Sequence, residues 1–421
     1  MLVDFSVANF CSVNDAQTLS MVMPEGKISQ NPTKIKGIPY LSNVAALYGA
    51  NGAGKTNLIK ALHFSQHFIL NSHKNKSQGD ETGVTPFLFD SKTPNEPSEF
   101  AISFIHENYF FEYGFELDIK KIHKEYLYAT DKMGNKQTWF TRENQNITIG
   151  DHIQGSAKTK KSWKELTREN ALFLSQAVQN NSQDFNIAFK WFKQKIKVFS
   201  DKVRSDFTKD QCFLATNPDC QNNKTKILSF LKNLDIAFID FSIIEKETDF
   251  PTSFFEQVPF EFKEDFKKEI LSSKQKKVKL EYQVNDKNYF LELEQESDGT
   301  QNLFALAGPL FDILDNGYIW IADELHRSLH PKAFEHIIKL FKNPKTNPNN
   351  AQLIFTSHNT YPLKFLDKHN VWLVEKNKDN LQSELFSISE FKSVPDNIKL
   401  DEEYLDNTFG GLPHIGNGDN V

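Results

Sequence analysis

Residues 44–56 read VAALYGANGAGKT, and this stretch decides the fold. Its first five residues are an unbroken apolar run that stops at Gly49, as a buried strand feeding a tight turn should. Gly49, Gly54, Lys55 and Thr56 then fit the spacing G-x-x-x-x-G-K-[ST]. Beyond them Leu58, Ile59, Leu62 and Phe68 recur at helical spacing. A strand, a glycine loop and a helix in this order make a phosphate cradle. Glycines let backbone N–H groups turn inward, and the helix N-terminus adds partial positive charge. Lys55 is positioned to reach the β- and γ-phosphates and the Thr56 hydroxyl to ligate Mg2+. The candidate nucleotide contacts are therefore Asn51, Gly52, Gly54, Lys55, Thr56 and Asn57.

Three downstream segments carry matching chemistry. Residues 318–324 read YIWIADE, an apolar strand that ends in two acids. Asp323 is the candidate for the metal shell and Glu324 for the general base that activates water. Two acids at a strand end are also a common helix N-cap, and only their pairing with the upstream loop favours catalysis. Residues 297–301 read SDGTQ, directly before an amphipathic helical pattern at 300–314. Ser297 and the Gly299 backbone at a helix start form an anion site, although Ser-Asp-Gly is equally an ordinary turn. His358 ends an apolar run at 353–357 and is the candidate γ-phosphate sensor.

The remaining chain frames this site. Leu2, Phe5, Val7 and Phe10 predict an edge strand. Residues 71–98 are polar and read as a loop with an apolar patch at 86–89, and alternation across 100–149 predicts an antiparallel meander with turns near 106–108 and 132–135. Helical periodicity at 171–178, 185–199 and 225–234 predicts a helical insertion. Residues 278–293 alternate as a hairpin about 285–287, Pro331 opens a helix over 332–341, and a last core strand lies at 370–374.

Composition narrows the class. With 39% hydrophobic and 25% charged residues the chain is an ordinary globular one, and a net charge of −6 makes no global case for nucleic-acid or membrane binding. Lysine runs at 158–164 and 263–279 are mixed with acids and read mainly as solvated faces. Three scattered cysteines argue against a disulfide framework and for a reducing cytoplasm. No apolar stretch approaches membrane-spanning length, and the opening MLVDFSVANF carries no signal peptide. The pairs His63/His67 and His326/His330 have helical metal spacing but lack the H-E-x-x-H order, and are read as structural.

The phosphate loop, SDGTQ at 297–301, Asp323-Glu324, SLHP at 328–331 and TSH at 356–358 follow one another as in ABC-type ATPase heads. The likeness is to the SMC/RecF-like branch. Within it, the chain resembles the bacterial AAA-type ATP-binding proteins of abortive-infection and restriction loci (RloA-like). The opening VANFCS at 7–12, the VEK at 374–376 and the tail FGGLP at 409–413 share the resemblance. It implies an α/β fold: an ABC ATPase head with a P-loop mixed sheet, an antiparallel β subdomain and a helical insertion. The implied division is an ATPase lobe at 1–155, the insertion at 156–277 and a second lobe at 278–421.

The resemblance also implies ATP and Mg2+ as cofactors and ATP hydrolysis in a homodimer that sandwiches the nucleotide. Lys55, Thr56, Asp323, Glu324 and His358 of one copy would meet Ser297 and Gly299 of the other, with residues 328–331 crossing the interface. A separate effector such as a nuclease is the implied partner in anti-phage defence, and nucleic acid is a further candidate. A RecF-like DNA-binding ATPase and an ATP-stabilised scaffold with negligible turnover are the alternative readings. The chain departs from the pattern at Cys11, where the family often has arginine, and Gln78 is a poor candidate for the glutamine of the Q-loop. Glu375 on its apolar run lacks the later Asp-x-Asp of a Toprim nuclease.

Overall fold

The computed structural model describes residues 1–24, 33, 35–37, 40–74, 77, 79–199, 221–247, 274–325, 329–391, 394–395 and 398–412. By compactness the chain divides into two units, cut near residues 201 and 312. The first holds Met1–Asp201, Ile313–Arg327 and Ala333–Val421, and the second Lys202–Asp312 and Ser328–Lys332. These cuts differ from the expected division at 155 and 277, because helices at 157–194 share the core of the first unit.

The first unit contains two sheets. Its antiparallel sheet is built from β1 (Leu2–Ala8), β2 (Gln17–Ser20), β4 (Ser98–His106), β5 (Tyr109–Leu117), β6 (Ile122–Thr130), β7 (Lys136–Glu143) and β8 (Asn146–Ile149), in the order β2-β1-β4-β5-β6-β7-β8. β1 is thus not the edge strand its sequence suggests: β2 pairs along its outer side and buries Leu19. The meander turns where the sequence pattern breaks, with Glu107 and Asn108 at positive φ. The mixed sheet has the order β16-β15-β3-β14-β13-β9. Its strands are β3 (Val44–Tyr48), β9 (Ile196–Phe199), β13 (Ile319–Ala322), β14 (Gln352–Thr356), β15 (Val371–Lys376) and β16 (Ser383–Ser387). All are parallel except β16, which pairs antiparallel to β15. The helical pattern expected over 185–199 ends early, because the alternating IKVF of β9 docks beside β13 as a strand.

Helices fill the core of this unit: α1 (Lys55–Asn71), α2 (Ala157–Glu165), α3 (Phe173–Gln179) and α4 (Gln183–Gln194). One face of α1 buries Leu58, Ile59, Leu62 and Phe68. Phenylalanines make up much of this layer. Phe68 meets Phe115 at 6.1 Å and Phe104 stacks on Trp191 at 4.1 Å between ring centres. Gln352 ties the two sheets together, accepting from Leu2 N at 2.6 Å and donating to Ser42 O at 3.1 Å. A buried Glu125–Arg142 pair staples the meander to α3. Glu125 accepts the amides of Phe173 and Leu174, and Arg142 donates to Ala171 O at 2.7 Å. Phe87 of the 71–98 segment is buried, whereas Leu88 and Phe89 are exposed.

The second unit contains α5 (Gln221–Asn233), β10 (Asp240–Glu247), β11 (Lys274–Val284), β12 (Lys287–Glu292) and most of α6 (Asp298–Asn316). Strands β10, β11 and β12 form an antiparallel sheet, so this region is not purely helical. Asn285 and Asp286, both at positive φ, close the hairpin where the alternation breaks. Phe304 of α6 packs edge-on against Phe241 at 4.9 Å, and Phe311 against Phe230 at 5.9 Å. Back in the first unit, α7 (Pro331–Lys342) continues from Ala333 and α8 (Leu400–Leu405) buries Leu400 and Tyr404.

Candidate functional site

The site lies in the first unit, where the C-terminal ends of three parallel strands meet. β3 is wholly buried and releases the chain at Gly49, from which residues 49–54 loop back into α1. Gly49, Gly52 and Gly54 all have positive φ. Two of them are also fixed by crowding: an added Cβ would overlap Val374 O at Gly49 and the Ser383 hydroxyl at Gly54. Gly54 is the N-cap of α1, so the loop presents its backbone at the positive helix end. Lys55 is buried beneath it and donates from Nζ to Gly49 O at 2.8 Å and Ala50 O at 2.9 Å, which leaves a third N–H for a ligand. Burial lowers its pKa to about 8, opposed by the charges of Glu324 and Asp323.

β13 delivers the two acids to this loop. Thr56 Oγ1 donates to Asp323 Oδ2 at 3.0 Å, although 267 positions separate the two residues. The other Asp323 oxygen accepts from Thr356 Oγ1 at 2.6 Å. Thr356 ends β14, is fully buried, and accepts in turn from the Glu324 amide at 2.8 Å. Glu324 has φ +49°, a left-handed conformation that costs a non-glycine residue about 1 kcal/mol or more. This turn brings Glu324 Oε1 to 3.3 Å from His358 Nε2. Five residues singled out from sequence, Lys55, Thr56, Asp323, Glu324 and His358, thus converge from three separate segments.

The family model described as "AAA domain, putative AbiEii toxin, Type IV TA system" matches residues 44–363. The chain belongs to this family. The matched span starts at β3 and runs past His358, so it encloses the whole constellation. Two solved structures align over most of both chains. One is described as the crystal structure of the SmcHead bound to the C-winged helix domain of ScpA, at 13% identity and TM-score 0.44, over 92% of this chain and 97% of that one. The other is the recombination mediator protein RecF-ATPrS in the RecFOR pathway, at 15% identity and TM-score 0.31, over 88% and 97%. No curated protein matches the chain. Among the described residues no helix is long and apolar enough to cross a membrane.

Of the other expected site residues, Asn51, Gly52, Gly54 and Asn57 belong to the glycine loop and the start of α1, and Ser297 and Gly299 belong to the second unit. Ser297 caps α6 in the second unit: its Oγ accepts from Thr300 N at 3.2 Å, and Gly299 is in the first turn of that helix. Ser328, His326, Gln78 and Pro413 lie outside the described residues, as do Cys212, Cys220 and the part of the second lysine run before residue 274. His63 and His67 are neighbours on α1 with ring centres 6.4 Å apart, and no metal-like cluster of three or more ligands occurs among the described residues. Glu375 lies on β15, parallel to β3 in the mixed sheet, and accepts from Gly411 N. Cys11 is half-buried at φ +52°, with its thiol pKa pushed up by burial.

Two supporting residues, Ser12 and Ser383, had no site role in the sequence reading. Ser383 Oγ donates to Ala53 O at 2.6 Å and lies 2.7 Å from Ser12 Oγ, whose own hydroxyl can donate to it, and Asn57 Nδ2 donates to Ser12 Oγ at 2.8 Å. These side chains grip the phosphate loop from behind. Ser12 stood in view within VANFCS, but nothing local marks Ser383 as its partner 371 positions away.

Proposed function

We propose that this chain is an ATP-hydrolysing ABC-type ATPase that closes as a homodimer around two nucleotides. The observation that carries the reading is the 3.0 Å approach of Thr56 Oγ1 to Asp323 Oδ2 at the mouth of a glycine loop. A hydroxyl and a carboxylate oxygen at that separation form a hard-oxygen donor pair that suits Mg2+, which when bound neutralises charge on the β- and γ-phosphates. The loop N–H groups and Lys55 would hold the phosphates. Glu324 would accept a proton from the attacking water, and His358, 3.3 Å away, would fix the direction of its carboxylate.

The dimer reading draws on Ser297 and Gly299. A serine at the start of α6 suits the terminal phosphate bound by a second copy, as the resemblance to ABC heads implies. ATP would then close the pair and hydrolysis reopen it, regulating or scaffolding a separate effector, a nuclease or toxin, in anti-phage defence. The cytoplasm is the compartment this implies.

Mixing Lys55→Ala with Ser297→Arg protein tests the arrangement, since each variant alone is expected to be inactive. In the mixture one of two composite sites is intact, and ATPase activity should return to roughly a quarter of wild type for random pairing of two copies. A mixture as inactive as its components would overturn the shared site.

A further inference from the structure

We propose that Thr356 is a positioning residue: its one hydroxyl sets both the metal-facing acid and the base in place. This rests on the ATPase reading above for its kinetic consequence, but its structural consequence stands independently. The Thr356 hydroxyl has a single proton, which goes to Asp323 Oδ1 at 2.6 Å. Its lone pair takes the Glu324 amide at 2.8 Å. The proton direction is forced, because a backbone N–H can only donate and an ionised carboxylate can only accept. The two adjacent acids are thereby locked together through the neighbouring strand.

The consequence for Asp323 is a choice of oxygen. With Oδ1 committed to Thr356, Oδ2 is the oxygen turned toward Thr56. The consequence for Glu324 is conformational. An L residue at φ +49° persists only where its surroundings hold it there, and the amide hydrogen bond to a fully buried hydroxyl is such a restraint. The left-handed turn in turn sets the Glu324 carboxylate at 3.3 Å from His358. Strands β13 and β14 pair in register at Ala322 and Phe355, so the hydroxyl is delivered one residue beyond the last paired position. Only serine or threonine at this place supplies a short hydroxyl without filling the space of the acids.

Thr356→Val keeps the side-chain shape and removes the hydroxyl; Thr356→Ser keeps the hydroxyl and removes a methyl. Steady-state ATPase kinetics on the full chain should show kcat falling by about a hundredfold in Thr356→Val, the scale of a misplaced catalytic group, with KM for ATP within about threefold. Thr356→Ser should keep kcat within about threefold of wild type. Crystal structures of nucleotide-free Thr356→Val and Thr356→Ser provide a readout apart from turnover. Glu324 should leave its positive φ and separate from His358 in the valine protein only. If Thr356→Val does not fold, Thr356→Ser still decides, because a kcat loss as large as a hundredfold there would show that the methyl and not the hydroxyl matters. Valine protein with wild-type kcat, or with Glu324 still at positive φ beside His358, would overturn the proposal. Wild-type protein without ATPase activity would instead sink the ATPase reading and leave the structural comparison to judge Thr356.

Discussion

Gly54→Ala is expected to damage the phosphate loop without touching any catalytic side chain. Gly54 has φ +114°, where an L residue is strained by roughly 1–2 kcal/mol. Its added methyl would also overlap the Ser383 hydroxyl and press on Ser12 Oγ at 2.8 Å. Ser383 must then swing away and give up its bonds to Ala53 O and Ser12 Oγ, at about 1 kcal/mol each. The native loop conformation would be disfavoured by roughly 3–4 kcal/mol in total. If ATP binds that conformation, as the proposed function requires, its Kd should rise by about a hundredfold at 1.4 kcal/mol per tenfold. Calorimetric titration with ATP and Mg2+ measures this directly. A conservative control is Gly52→Ala, where an added Cβ has nothing within 4 Å and only the backbone strain at φ +78° remains. Equal, near-wild-type affinities in both variants would refute the crowding argument.

Other outcomes follow from the same geometry. Glu324→Gln should retain ATP affinity while turnover falls by about 10²- to 10⁴-fold, measured by phosphate release, and normal turnover would remove Glu324 as the base. Lys55 loses its charge as pH rises through about 8, so ATP affinity should be flat near pH 6–7 and weaken by up to about tenfold per unit above the pKa, read by titration from pH 6 to 9.5. Arg142→Met would strand the buried Glu125 carboxylate and should cost about 3–5 kcal/mol, seen in hydrogen exchange as lost protection of the Phe173 and Leu174 amides.

What could be read in advance follows a physical divide between local and distant determinants. The passage from β3 through the glycine loop to α1 is written in consecutive residues, so its apolar run, glycine spacing and helical period were all visible. The same holds for the hairpin closed by Asn285 and Asp286 and for the acids ending β13. Strand order was not visible, because β3 is flanked in space by β14 and β15, both far away in sequence. Edge status depends on that order, which is why β1 looked exposed on one side until β2 was seen to cover it. The short β9 was hidden behind α4, since a four-residue apolar alternation can extend a helix or dock as a strand equally well. Thr356 and Ser383 share this character: each acts through a partner that no local pattern identifies.

The most direct test of the central claim is a crystal structure of Glu324→Gln protein grown with ATP and Mg2+. The triphosphate should be wrapped by residues 49–56, with the metal ion held between Thr56 and Asp323. Ser297 of a second copy should lie against the terminal phosphate. Nucleotide bound away from the glycine loop, or a metal ion that touches neither Thr56 nor Asp323, would contradict the claim.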